Sequence, residues 1–161
     1  MRSFVACAAL GALLIGGCPQ NGAVGGPDYS GIYSGNVVQT TALTPSTLPP
    51  TTASVYCSIF VGEDGIPLDL NDDSWGPGTE VYITLGTAAL TYTVAEIHAA
   101  DGNVTAKYAI TGTIDGVTPV AGQGTMTLKY SDRGTVEYRE QLAFSDGANT
   151  LAIHLDGTLT K

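Results

Sequence analysis

The stretch Gln123 to Asp156, QGTMTLKYSDRGTVEYREQLAFSDGANTLAIHLD, decides the fold. Apolar and polar residues alternate through it with a period of two, the spacing of a strand with one face buried and one wet. Asp132-Arg133-Gly134 suits a three-residue hairpin loop with glycine in the left-handed conformation. That loop sets Tyr130 opposite Val136, Leu128 opposite Tyr138 and Met126 opposite Glu140, with Lys129 facing Glu137 on the other side. Reading Asp146 to Asn149 as a four-residue loop sets Phe144 against Leu151 and Leu142 against Ile153, with Arg139 facing Asp156. Two independent turns each gather apolar side chains on one face and opposite charges on the other, as cross-strand pairing favours.

The same alternation extends outward over strands near 31–40, 53–62, 79–86, 89–99, 104–115, 123–131, 135–145 and 150–160, with a short extended piece at 66–70. No stretch has sustained helical spacing. Pairing Leu85 with Leu90 joins Ile83 to Tyr92 and Val81 to Val94. A three-residue loop at 101–103 keeps Val94 with Ile110 and turns Glu96 and His98 inward. An eight-stranded antiparallel up-and-down barrel satisfies this pattern by abolishing exposed edges, with a β-sandwich as the alternative all-β arrangement. Its outer face carries Thr, Lys, Arg and Glu, the reverse of an outer-membrane barrel. Thr40 to Thr52, rich in Pro and Thr, reads as a long connection able to cover one barrel mouth.

The N-terminus carries a different message. Arg2 precedes an apolar run from Phe4 to Ile15 that is too short to span a bilayer as a helix. Ile15-Gly16-Gly17-Cys18 follows and resembles the lipobox of bacterial lipoproteins. That resemblance implies a signal peptide over 1–17, lipidation of Cys18, and a location in the bacterial cell envelope with a covalent lipid anchor in a membrane. Residues 18–28 then form the lipidated cysteine and a flexible tether, and 29–161 a single all-β domain. Gly31-Ile32-Tyr33 resembles the Gly-x-Trp of lipocalin first strands, with Tyr in the place of Trp, which implies a lipocalin-like pocket.

The chain has 6 basic and 15 acidic residues. Losing Arg2 with the signal takes the net charge from −9 to −10. Such a surface repels phosphate backbones, so nucleic acid is excluded as a partner. Cys57 has no partner cysteine once Cys7 is removed and Cys18 acylated, and it reads as a small buried hydrophobe rather than a nucleophile.

Two groups of residues are candidates for binding. Glu140 lies mid-strand on the apolar face, where an unpaired carboxylate must be protonated, bridged, wetted or bound to a ligand. With Tyr138, Tyr92 and Tyr108, and with Glu96 and His98 toward a barrel mouth, it outlines a site for a small or amphipathic ligand. The loop from Asp69 to Glu80 places oxygens of Asp69, Asn71, Asp73 and Glu80 at EF-hand spacing, so Ca2+ is the candidate cofactor; the competing reading is a solvated acidic turn. Ser74 stands where that motif has glycine, and strands flank the loop. No spacing of nucleophile and base points to catalysis. The expectation is a non-catalytic lipoprotein that binds such a ligand; a filled-core structural or envelope protein-interaction module is the alternative.

Overall fold

The computed structural model describes residues 27–69, 71–85, 87–131 and 134–161. The signal peptide, the lipobox cysteine and the tether as far as residue 26 lie outside the described residues, as do Leu70, Gly86, Asp132 and Arg133. Eight antiparallel strands form one curled half-barrel sheet: β1 (Gly31–Thr44), β2 (Thr51–Val61), β3 (Glu80–Leu85), β4 (Ala88–Ala100), β5 (Asn103–Ile114), β6 (Thr118–Ser131), β7 (Thr135–Ser145) and β8 (Thr150–Thr160). Their order is β2-β1-β8-β7-β6-β5-β4-β3. This is the cyclic order of an up-and-down meander, with β1 laid against β8. Between β2 and β3 no ladder forms among the described residues, so the expected closure is missing and the sheet keeps two edges.

The pairings read from the two central turns hold throughout. Met126 faces Glu140, Leu128 faces Tyr138 and Lys129 faces Glu137. Leu142 faces Ile153 and Arg139 faces Asp156. The loop after β6 spans three residues, with Gly134 at φ 70°. The two expected charge pairs form on the convex face, Arg139 to Asp156 at 3.1 Å and Lys129 to Glu137 at 3.9 Å, both well exposed.

Three local readings need correction. The β3–β4 hairpin pairs Ile83 with Leu90 and Val81 with Tyr92, two residues away from the expected register. A slip of two preserves the faces, so Val81 and Ile83 still point at the core. The β4–β5 connection is the two-residue turn Asp101-Gly102, both residues at positive φ (50° and 72°). That turn clashes with the inward pairing of Val94 unless an extra residue intervenes, and a β-bulge between Val94 and Glu96 supplies it. Val94 therefore faces Tyr108, while every residue from Glu96 onward changes face. Finally, much of the Pro/Thr-rich connection is strand. Thr40 and Thr41 pair with Thr52 and Thr51, and Ala42 to Thr44 continue along β8, which leaves 45–50 as the loop.

The core lies on the concave face. Inward residues of the middle strands are almost fully covered, among them Leu128, Val136, Tyr108, Ile110 and Leu159. The connection from 62 to 79 folds over one end of the sheet, bridging Val61 to Pro67 and Leu68 to Ser74. Trp75 packs from it against the core. Tyr130 on β6 ties this connection down, donating its hydroxyl to the Gly65 carbonyl at 2.7 Å.

Candidate functional site

Period-two alternation puts Tyr138, Glu140 and Leu142 of β7 on the concave face, between Met126 of β6 and Leu155 of β8. Glu140 is the only charged side chain in the core among the described residues. Its carboxyl is matched by two hydroxyls. Tyr108, reaching over from β5, donates to Oε1, and Tyr138 donates to Oε2 at 2.5 Å. Tyr92 of β4 stacks on Tyr108, ring centroids 4.7 Å apart and planes 10° from parallel. Four of the residues proposed from sequence thus meet in one cluster, with each tyrosine no more than 4 % exposed.

Tyr108 can lie across β6 because Gly124 is beneath it. A Cβ at that position would stand 2.7 Å from Tyr108 Cζ and 2.9 Å from Leu142 Cδ2. Burial raises the Glu140 carboxyl above its ordinary 4.5, and the hydrogen bonds from Tyr108 and Tyr138 oppose that rise. Burial, with the neighbouring Glu140 charge, also pushes both tyrosines well up, so they remain protonated donors. Cys57 of β2 faces the same cluster. Burial drives its thiol up to about 11, with the Glu140 charge adding to the rise and a hydrogen bond with Tyr138 opposing it. A thiol held that high is a poor nucleophile.

Glu96 and His98 do not join the cluster. The bulge turns both outward, where Glu96 pairs with Lys107 at 2.9 Å and His98 is exposed. His154 is exposed on the convex face, as its place in the alternation requires. Glu96, Lys107, Gln141 and His154 border a shallow open trough of about 570 Å³ floored by Ala109, Ala143 and Ala152. The sequence reading missed it, although its signal is a row of short outward residues across neighbouring strands, Ala143 facing Ala152 and Gln123 lying between Ala143 and Ala109.

The acidic loop is organised by its own backbone. Asp69 Oδ1 accepts from the N–H groups of Asn71 (2.7 Å) and Asp73 (3.1 Å), and Asp72 takes a left-handed φ of 62°. Those two hydrogen bonds hold the Asp69 carboxylate below its usual range. Glu80, the twelfth position, instead accepts from the Tyr82 hydroxyl at 2.9 Å. Among the described residues no group of three or more His, Cys, Asp or Glu side chains is gathered to hold a metal ion. An Asp69→Ala change is expected to speed hydrogen exchange at the Asn71 and Asp73 amides equally in EDTA and in calcium. A larger acceleration in calcium than in EDTA would instead make the carboxylate a ligand.

No protein family, curated protein or solved structure matches this chain.

Proposed function

We propose that the chain is a membrane-anchored, non-catalytic lipoprotein of the bacterial envelope whose sheet domain serves as a structural or protein-interaction module with a filled interior. The observation that carries this reading is the state of Glu140. Both carboxyl oxygens are taken by tyrosine hydroxyls of the protein itself, under a face whose aromatic residues are covered. A guest in that space would have to displace Tyr108 or Tyr138 and leave a buried polar group without its partner, which costs about 1 to 3 kcal/mol for each such group. Small barrels usually fill with side chains in this way. The meander order supports a lipocalin-like barrel opened between β2 and β3 as the finer description of the fold.

Anchorage rests on the lipobox-like Ile15-Gly16-Gly17-Cys18. Two or three acyl chains at Cys18 would hold the domain stably on a membrane, where a single chain holds only marginally. The test combines localisation with mass. Cys18→Ser is expected to move the protein from the membrane to the soluble fraction of cells. Native mass spectrometry of the wild-type chain released from detergent is expected to show the acylated polypeptide with no non-covalent small molecule. A stoichiometric lipid or metabolite surviving in that spectrum would sink the filled-interior reading and restore the ligand-binding one.

A further inference from the structure

Sheet edges are normally guarded. Exposed edge strands carry lysine, proline or an inward charge, because a row of free N–H and C=O groups recruits other strands. β2 has none of these guards. Its residues, TTASVYCSIFV, include no Asp, Glu, Lys, Arg or Pro, and among the described residues the only strand it pairs with is β1. Its C-terminal end is covered within the chain: the Leu68 N–H donates to the Phe60 carbonyl at 2.8 Å, and Val61 bridges Pro67. Thr51 to Ile59 remain as the open edge. Along that stretch Val55, Cys57 and Ile59 face the core but are only half-buried, unlike the inward residues of the middle strands. On the opposite face Tyr56 is 59 % exposed.

We propose that the open edge of β2 is a homodimer interface, at which Thr51–Ile59 pairs antiparallel with the same segment of a second copy about a two-fold axis at Val55. This rests on reading the domain as an interaction module and names its partner. The segment is complementary to itself in that register. On the core side Val55 meets its own counterpart, Ala53 meets Cys57 and Thr51 meets Ile59. On the outer side Tyr56 lies over Ser54, and Thr52 meets Ser58. Small residues stand opposite large ones and β-branched residues opposite each other, the combinations that stabilise cross-strand pairs.

Charge points to the same occupant. Apart from Glu140, whose buried carboxyl lies on the core side near Cys57, the acidic side chains closest to β2 along the chain are Glu63, Asp64, Asp69, Asp72 and Asp73, all beyond its C-terminal end. A two-fold antiparallel arrangement places that acidic connection beside the partner copy's 45–50 loop, PSTLPP, which has no charge and presents an exposed Leu48. Two chains of strong negative charge therefore meet along an edge strand that carries no charge of its own. β3 lacks this property, since Glu80 sits on it. A closed two-fold contact also uses up the edge in both copies and ends assembly at two, whereas a head-to-tail contact would continue into fibres.

The full chain in detergent, studied by sedimentation velocity, is expected to show reversible monomer–dimer exchange. A Ser54→Lys/Tyr56→Lys double variant, altered only at exposed side chains, is expected to sediment as monomer with an unchanged melting temperature. The register is read separately with Ala53→Cys. Under mild oxidant the new thiol is expected to link to Cys57 of the second copy and give a covalent dimer, lost when Cys57→Ser is added. Within one chain the two positions are too far apart along the strand to bridge. A wild-type chain that stays monomeric up to about 200 μM, well above the micromolar range of weak complexes, overturns the proposal. So does a dimer that survives both lysines, or one that Ala53→Cys fails to link. None of these outcomes bears on the occupancy of the interior, which native mass spectrometry reads by itself.

Discussion

Glu140→Ala is expected to lower the unfolding free energy by about 3 kcal/mol, as the sum of two orphaned tyrosine hydroxyls and an unfilled space, less the relief of removing a buried carboxyl. Tyr108 and Tyr138 each donate to that carboxyl, and both are buried where water cannot replace it. Glu140→Gln is expected to be much milder, by about 1 kcal/mol, because an amide of the same shape accepts from one hydroxyl and donates to the other. The pair of variants separates shape from charge. Burial raises the Glu140 carboxyl above 4.5 in the folded protein, so over the interval between 4.5 and that higher value the folded state binds more protons than the unfolded one. Stability contributed by this group is full below pH 4.5 and is lost as pH rises through the folded value. The Gln variant has no such dependence. Urea unfolding at pH 7.5 and at pH 5 is therefore expected to show the wild type gaining on Glu140→Gln as the pH falls. Parallel pH profiles would mean that the carboxyl is wetted rather than buried.

The second large effect concerns the curl of the sheet. Gly122 of β6 faces Phe144 of β7, and a Cβ there would stand 2.5 Å from Phe144 Cα and closer still to the Ala143 carbonyl oxygen. Those are backbone atoms of the adjacent strand, with no flexible side chain to yield. Gly122→Ala is thus expected to cost about 3 kcal/mol, the upper part of the usual overpacking range, by forcing β6 and β7 apart or flattening the sheet. Gly76→Ala is the control. Nothing lies within 4 Å of its position and its φ is not among the positive ones, so it is expected to be neutral within about 0.5 kcal/mol. Urea denaturation followed by far-UV circular dichroism measures both. Equal stability of the two variants would show that the sheet can relax around Gly122.

The same glycine marks what was legible in the sequence. Faces were readable because alternation fixes them. Registers β6–β7 and β7–β8 were readable because turn chemistry and charge pairs pointed to the same pairing. The β3–β4 register was not, since a shift of two residues leaves every face unchanged and so removes the signal that would expose the error. The bulge next to Ala95 leaves no compositional mark. It could be inferred only by holding to the Asp101-Gly102 turn and accepting that one residue must be extra. Closure was also beyond a pattern of alternation, because it depends on how tightly the strands coil. Gly112, Gly122, Gly124 and Gly157 sit at or beside inward positions where an apolar side chain would be expected, and added Cβ atoms there would run into neighbouring strands. The Glu140 cluster was visible as a set of residues. What the sequence could not convey was that its members satisfy one another.

The strand order also has a bearing on how the chain reaches its native form. β3 to β8 form a meander in which each strand pairs with the next, whereas among the described residues β1 and β2 join the ladder of that meander only through β8. A polypeptide emerging with its N-terminus first thus holds the β1–β2 hairpin unattached until β8 has also appeared. Contacts so remote along the chain form late and slowly. Meanwhile an apolar, uncharged strand stays available to any extended neighbour, so the hairpin made first is the part that most needs an escort until the chain is complete.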